Sequence, residues 1–546
     1  MWDSPKLYTI ESTEMDLDLF ASGLGKDQVV EEEQQQQQDE LQLLVDFVSL
    51  DDWDFDVVPL QHQSNVEKTF QTKKSYEITE SKKSMETPLP SALKILKDYN
   101  NRFRRSKAEN NIISMQTDKS KCKLSTDEIL RLGAEKFIQS FTISREEAYM
   151  FSHPFASSFL SLSEDDTRNI ALVEYLLASA EKVGQKEFDR AQNLLNECDK
   201  SCSKKGNPIQ RLVYYFCRAL HDRINWETGR GTSKGIGMKR LAYIEDSLMN
   251  LNSSMIAAHQ SVPLSQVTQF AGVQAIIDHV VESEKVHIID LEIGSGMQWT
   301  ILMQALATNQ CESSFKHLKL TALCTKLRHK IEDTCERLMS FAKSLNLSFS
   351  FNIVMVEDIM ELKQEYFELD DEEAVVIFAQ YFLMRMLARP DKLDALMRVI
   401  KGINPRAMIV IEVEANHNSP VFVDRFVEAL FFYGAFFDAL EDCMKHDEKS
   451  RTATESEHLN QGIRIIVAAE GEERTIRHVK IDVWRMFFAR YGMEEVELSK
   501  SSLYQANLVL KNFACGSSCT LEMNQYCLLI GWKGTPLSSL SAWTFS

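Results

Sequence analysis

Val286-His287-Ile288-Ile289-Asp290-Leu291-Glu292-Ile293-Gly294-Ser295-Gly296-Met297-Gln298-Trp299 is the stretch that decides the fold. It opens with an apolar run of the kind a parallel strand buried on both faces requires. Two glycines then allow a tight turn, and Leu302 and Leu306 carry a helix away from it. Strand, turn and helix in that order begin a βα unit, and open α/β sheets place ligands at the carboxyl ends of such strands.

Downstream, the pattern repeats. Strands are expected over 286–293, 318–324, 349–356, 374–380 and 407–414, and helices over 298–307, 327–345, 391–401 and 420–440. That alternation predicts a parallel sheet covered on both faces. A helix near 503–513 and an extended pair around 519–532 suit an antiparallel closing edge. Ile331, Leu338 and Leu345 form one heptad-spaced face, read as core in preference to a dimer zipper.

Upstream, Asp165 to Ile224 reads as helical. Val173, Leu176, Ala180 and Val183 recur at spacings of three and four, and Ala191, Leu194, Leu195 and Cys198 continue on a second helix. Two heptads are too few for a coiled coil, so a packed hairpin followed by a third helix is expected. Such a helical cap suits partner binding, with Val173, Leu176, Val183, Leu194 and Leu195 as interaction candidates, or it is ordinary core.

Charge divides the remainder. The chain of 546 residues carries a net charge of −19, but residues 1–60 hold 16 acidic and 2 basic residues, while 61–125 hold 14 basic and 7 acidic. Glu31-Glu32-Glu33 followed by Gln34 to Gln38 is low-complexity, and residues 1–125 show no sustained apolar period. A disordered tail is expected there, with folded structure from about Ser125. Within the tail, Phe47, Trp53 and Phe55 stand among carboxylates. Repulsion keeps such a segment open and leaves its aromatics available, which marks an activation segment unless it docks on the body. Arg102-Phe103-Arg104-Arg105-Ser106-Lys107 suits either nuclear import or a solvated linker. An acidic body lacks the uniform basic field of an autonomous DNA binder.

Other classes are disfavoured. No apolar run reaches membrane-spanning length, and the acidic N-terminus does not read as a secretory signal. The 11 cysteines are scattered, which fits free thiols in a reducing compartment. Neither Cys198/Cys202 nor Cys515/Cys519/Cys527 is followed by a well-spaced histidine pair, so no zinc site is expected. Gly229 to Gly235 lacks phosphate-loop spacing and reads as a connection.

The central turn locally resembles that of S-adenosylmethionine-dependent methyltransferases, through Glu292, Gly294 and Gly296. A nucleotide site also needs a carboxylate after the next strand to fix the ribose, and Cys324-Thr325-Lys326 supplies none. Glu412 and Glu414 share a strand face near His417, a grouping able to hold a proton or a metal. No nucleophile stands beside it, and a structural network is the simpler account.

The wider motifs resemble the GRAS family of plant transcriptional regulators. Val286, His287, Ile288, Ile289 and Asp290 match its VHIID motif, and Gln298-Trp299 the pair that follows. Asn207-Pro208-Ile209-Gln210-Arg211-Leu212 is similar to the end of its first leucine-rich region. Asn416-His417-Asn418 with Arg425 to Tyr433 resembles the PFYRE region, and Arg474-Thr475-Ile476-Arg477-His478 its Arg-x-x-Arg-His element. Trp484, Trp532 and Trp543 fall where the closing SAW region and the element before it carry tryptophans, and are expected to be structural.

The resemblance implies an α/β fold: a Rossmann-like, methyltransferase-like sheet core with a helical cap, preceded by a disordered tail. It places a folded body at 126–546 and a GRAS domain at about 163–546. Within that domain it places leucine-rich region I at about 168–225, VHIID at 255–320, leucine-rich region II at 331–366, PFYRE at 376–470 and SAW at 473–546. It further implies a nuclear, non-enzymatic coregulator. Its partners would be other transcription factors, GRAS proteins included, with DNA reached mostly through them and no cofactor, metal or small-molecule ligand. The chain departs from many members at Glu292-Ile293-Gly294-Ser295-Gly296-Met297, and Asp39-Glu40-Leu41 lacks a full DELLA module around it. The subgroup stays open between DELLA-like and symbiosis-associated members.

Overall fold

The computed structural model describes residues 124–142, 162–231, 253–308, 315–325, 328–474 and 477–546. Phe47, Trp53, Phe55 and the basic cluster at 102–107 lie outside the described residues.

The first layer is helical: α1 (Thr126–Thr142), α2 (Glu164–Gly184), α3 (Phe188–Ser201) and α4 (Pro208–Glu227). Local chemistry sets the starts. Ser163 accepts the Asp166 amide across 3.0 Å at the head of α2. Asn207 and Gln210 form a reciprocal capping box at α4, whose first residue is Pro208. Val173, Leu176, Val183 and Leu195 are buried among these helices, and Leu194 is half-buried. As interaction candidates they face inward, because two heptads of stripe are used up by α2, α3 and α4 packing on one another.

The sheet layer follows. Helices α5 (Ser253–Ser261) and α6 (Pro263–Val280) precede β1 (Lys285–Asp290). Then come α7 (Met297–Thr308), β2 (His317–Cys324), α8 (Arg328–Ser344), β3 (Phe349–Met355), β4 (Glu373–Gln380), α9 (Pro390–Ile403), β5 (Ala407–Val413) and α10 (Phe422–Cys443). β1 pairs in parallel with β2 and β4, β2 with β3, and β4 with β5. Every residue of β5 is buried, as a strand covered on both faces requires. Ile331 and Leu338 are core residues of α8, and Leu345 packs against the core.

Helix α10 joins the layers. From Phe422 to Leu440 all residues but Asp424 are buried, and a helix apolar all round belongs inside a protein. It packs against α1, α2 and α4 on one side of the molecule and reaches β8 and β9 of the sheet, described next. Among the described residues no helix is long and apolar enough to cross a membrane.

The last elements are α11 (Glu448–Thr454), α12 (Asn460–Ala468), α13 (Ile481–Ala489), β6 (Met493–Val496), α14 (Lys500–Lys511), β7 (Cys519–Asn524), β8 (Cys527–Trp532) and β9 (Thr535–Phe545). Strand order is β3-β2-β1-β4-β5-β9-β8-β7, with β6 also pairing β9. The expected extended pair exists as β7 and β8, but it forms the outer hairpin. The final strand, β9, closes the parallel half by pairing antiparallel with β5.

Candidate functional site

A ligand of this architecture would sit at the carboxyl ends of β1, β2, β4 and β5. At β1, Asp290 ends the strand three residues before the expected 293 because its carboxylate turns the chain. Oδ1 accepts the Glu292 amide at 2.9 Å, and Oδ2 accepts the Trp299 indole N–H at 2.8 Å and the Gln298 amide at 3.2 Å. Asp290 is fully buried, and that burial pushes its carboxyl up to about 7 against the pull of those donors. One buried acceptor thus binds the last residue of Val286–Asp290 to Gln298-Trp299. Trp299 then meets Phe378 of β4 edge-on at 5.2 Å.

The remaining motif residues are interior. Val286, Ile288 and Ile289 are core. His287 Nε2 lies 2.7 Å from Thr321 Oγ1, and Nδ1 lies 3.0 Å from Glu373. Burial, with Lys319 beside it, pulls this imidazole down to about 3, so it is neutral.

The glycine turn is engaged by its own neighbours. Gly294 and Gly296 adopt φ of 52° and 73°, the left-handed region that favours glycine. A Cβ at Gly296 would come within 3.0 Å of Leu338 and Thr334 side chains. The Gly296 amide donates to Ile293 O at 2.9 Å, Thr334 donates to Gly294 O at 3.3 Å, and Arg337 to Ser295 O at 3.3 Å. Arg385 clamps the turn from the β4 exit, donating to Glu292 at 3.0 Å and to Tyr381 O at 3.2 Å. At the β2 exit, Cys324 O accepts the Val356 amide at 3.0 Å, and neither Cys324 nor Thr325 brings a carboxylate.

The second constellation separates. Glu412 accepts the Leu383 and Met384 amides at 3.0 and 3.3 Å, capping the turn after β4. Glu414 accepts the Ile481 amide at 3.0 Å at the head of α13, and burial raises its carboxyl to about 7. β5 ends at Val413, one residue short of the expected 414, so Glu412 lies in the strand and Glu414 just past it, and the two serve different neighbours. His417 faces His478, their Nδ1 atoms 2.6 Å apart, and the His417 amide donates to His478 O at 3.0 Å. Burial holds both rings neutral, His417 at about 3 and His478 well below its usual value. Arg474 donates to His417 O at 3.2 Å and Arg477 to Asn418 at 3.3 Å. The Arg-x-x-Arg-His element therefore docks on the β5 exit. Beside it, Leu264, Tyr381, Val413, Phe432, Phe436, Leu537 and Ser538 line a small recess of about 220 Å³, open solvent included.

Sequence reasoning missed the ion pairs that fix the cap. Arg211 donates through Nε to both Glu455 oxygens at 3.0 Å and through Nη2 to Glu441 at 2.9 Å. Arg425 donates to Ile466 O at 3.1 Å, to Ser419 O at 2.8 Å and to Glu470, which Arg223 also reaches at 2.7 Å. Burial alone would raise the Glu470 carboxyl, but Arg425 and Arg223 outweigh it and hold it below its usual value. The only signal available was an arginine or glutamate falling on an otherwise apolar helix face.

Three tryptophans close the molecule. Trp484, Trp532 and Trp543 are each buried. Trp532 donates to Asp438 of α10 at 2.7 Å and Trp543 to Ser541 at 2.8 Å. Phe488 lies between Trp484 and Trp543, with ring centroids 5.7 and 4.5 Å away.

Similarity to known proteins follows the same motifs. Residues 172–544 match the model of the GRAS domain family. The DELLA protein RGL1 of Arabidopsis thaliana is 31% identical over 389 residues, 71% of this chain and 72% of that protein. The DELLA protein GAI1 of Vitis vinifera is 30% identical over 386 residues, 70% of this chain and 63% of its own length. The crystal structure of SCL7 from Oryza sativa superposes with a TM-score of 0.58 at 27% identity, covering 68% of this chain and 99% of that one. This chain belongs to the GRAS family of plant transcription regulators.

Proposed function

We propose that the protein regulates transcription in the nucleus through contacts with other transcription factors, GRAS proteins among them, and that it is not an enzyme. The observation that carries this reading is the saturation of the sheet's carboxyl edge. Asp290, Glu292, Glu412, Glu414 and the carbonyls of the glycine turn are bonded to the chain's own donors. With the edge used in this way, recognition falls to the outer surface. Tyr175 of the cap, 41% exposed, is of the amphipathic kind that protein interfaces favour. DNA is reached chiefly through partners, since the chain carries a net charge of −19.

The acidic-aromatic segment supplies activation in this reading. Fused to a neutral DNA-binding module, residues 1–60 raise reporter transcription, and changing Phe47, Trp53 and Phe55 together to alanine removes most of it. A triple variant as active as the original defeats the activation role. For the body, the full chain captures transcription regulators from plant nuclear extract, and disrupting the cap at 165–225 loses some of them. Capture unchanged by cap variants would move the interface elsewhere.

One observation favours a second reading, a small-ligand or adenosylmethionine-type site at Glu292, Gly294 and Gly296. A Cβ placed on Gly294 meets nothing within 4 Å, so the turn has open space before it. The ribose carboxylate missing at Cys324 and Thr325 weighs against it.

A further inference from the structure

Linear spacing gives Cys198 and Cys202 no histidine pair, but the hairpin of α3 and α4 brings other donors to them. Cys202 ends α3, its amide donating to Cys198 O at 2.8 Å, and Cys217 lies on α4. The Sγ atoms of Cys202 and Cys217 and a carboxylate oxygen of Asp199 all lie within 4.8 Å of one another. His221, one turn beyond Cys217, places Nε2 2.9 Å from Asp199 Oδ2. Cys198-x-x-x-Cys202 and Cys217-x-x-x-His221 are thus two pairs at the i,i+4 spacing, one on each of two packed helices.

We propose that Cys202, Cys217, Asp199 and His221 bind one zinc ion that staples α3 to α4. Two thiolates, a carboxylate and an imidazole are donors that tetrahedral zinc accepts at about 2.0–2.3 Å. Asp199, Cys202 and Cys217 are the three already grouped, and His221, held against Asp199, would turn in as the fourth. The site lies at the carbonyl end of α3, where the helix dipole favours a cation. In the metal-free chain Cys217 shares hydrogen bonds with Cys198 and Cys202; these, with burial, push the Cys217 thiol well above its usual value and hold that of Cys202 below it. Binding replaces that shared hydrogen with the metal: both thiols lose their protons to solvent, and His221 coordinates through Nε2 with its proton on Nδ1. Gln192, now 3.3 Å from Nδ1, turns its amide oxygen to accept that proton, the usual outer support of a ligating histidine. Cys198 is fully buried, with Sγ 3.9 Å from Leu172 O, and stays a packing thiol.

The test titrates the full-length protein, reduced and stripped with a chelator, with cobalt(II) and then zinc(II). One cobalt per chain should give the visible bands of a tetrahedral site and a thiolate-to-metal charge-transfer band, both erased by zinc. Protons should be released on binding, and zinc should raise the Tm. Cys202→Ser, at a half-buried helix end, and His221→Ala should each weaken zinc affinity at least about 10-fold while circular dichroism stays unchanged. Cys443→Ser, whose thiol is hydrogen-bonded to Cys515 away from this site, should bind as the parent does. A cobalt spectrum without thiolate charge transfer, or parental affinity in Cys202→Ser, overturns the proposal. Loss of binding in Cys443→Ser alone overturns it equally.

Discussion

The carboxyl edge of the sheet and the helical cap both bury charge, but they use it differently. At the edge, carboxylates accept from amides and indole: Asp290 from Trp299, Glu412 from Leu383 and Met384, Glu414 from Ile481. Each bond shapes a loop at the place where related architectures hold ligands. In the cap, arginines meet carboxylates supplied from far along the chain, Arg211 with Glu455 and Arg223 with Glu470. Those pairs fasten α4 to the segment around α11 and α12. The first region uses its carboxylates to shape loops, and the second uses arginine–carboxylate pairs as bolts between helices.

The largest expected effect strikes a bolt. Arg211→Met leaves the buried Glu455 without its main partner, and breaking a buried pair on one side costs about 3–5 kcal/mol. Burial already raises the Glu455 carboxyl to about 7, so the loss should soften below neutral pH, where the carboxyl takes up a proton. Denaturant unfolding at pH 8 and pH 6 checks both. Adding Glu455→Gln to Arg211→Met should recover part of the loss, and a double variant no better than the single one would deny the pairing its role.

At the edge the expected effect is smaller. Asp290→Ala leaves the Trp299 indole N–H without an acceptor, and an orphaned buried donor costs about 1–3 kcal/mol. The same carboxylate gives a pH signature. Its folded pKa, about 7, stands above its unfolded value, so its contribution is fully present below about pH 4 and is lost as pH rises to about 7. Relative to Asp290→Asn, the parent should therefore lose stability across that window. A difference independent of pH would mean that Asp290 is not held as described.

Much of this architecture was legible in advance, and the exceptions have physical causes. The inner parallel strands announce themselves because burial on both faces demands continuous apolar runs, as in Ala407–Val413, whereas β3 at the edge is only partly buried. β9 did not. Pro536, Ser538, Ser539 and Ser541 break any apolar run, so no strand is expected there, yet most of β9 is buried between β5 and β8. Small polar residues fit there because their hydroxyls find acceptors inside, such as Ser539 to Glu412 O at 3.3 Å. Helix α6 was equally silent, since it is buried nearly all round and shows no amphipathic period. At the site, the motif letters were visible, but the bond joining Asp290 to Trp299 spans a turn whose shape no spacing rule gives. The inward stripe of Val173, Leu176, Val183 and Leu195 resembled an interface because core and interface share one periodicity.

The smallest effect on stability belongs to the cap's outer face. Tyr175→Ala should change unfolding free energy by no more than about 0.5 kcal/mol, as exposed substitutions do. It should nonetheless reduce capture of at least one nuclear partner. Stability and capture both unchanged would leave that face without a role and move recognition to another surface.

The most direct test of the closed edge is calorimetric titration of the protein with S-adenosylmethionine at sub-millimolar concentration. The account predicts no binding heat, because the turn's carbonyls, the Gly296 amide and Glu292 are bonded internally and no carboxylate stands at Cys324 or Thr325 to hold a ribose. Micromolar binding that Gly294→Val abolishes in a folded protein would contradict it and put a ligand at the centre of this molecule.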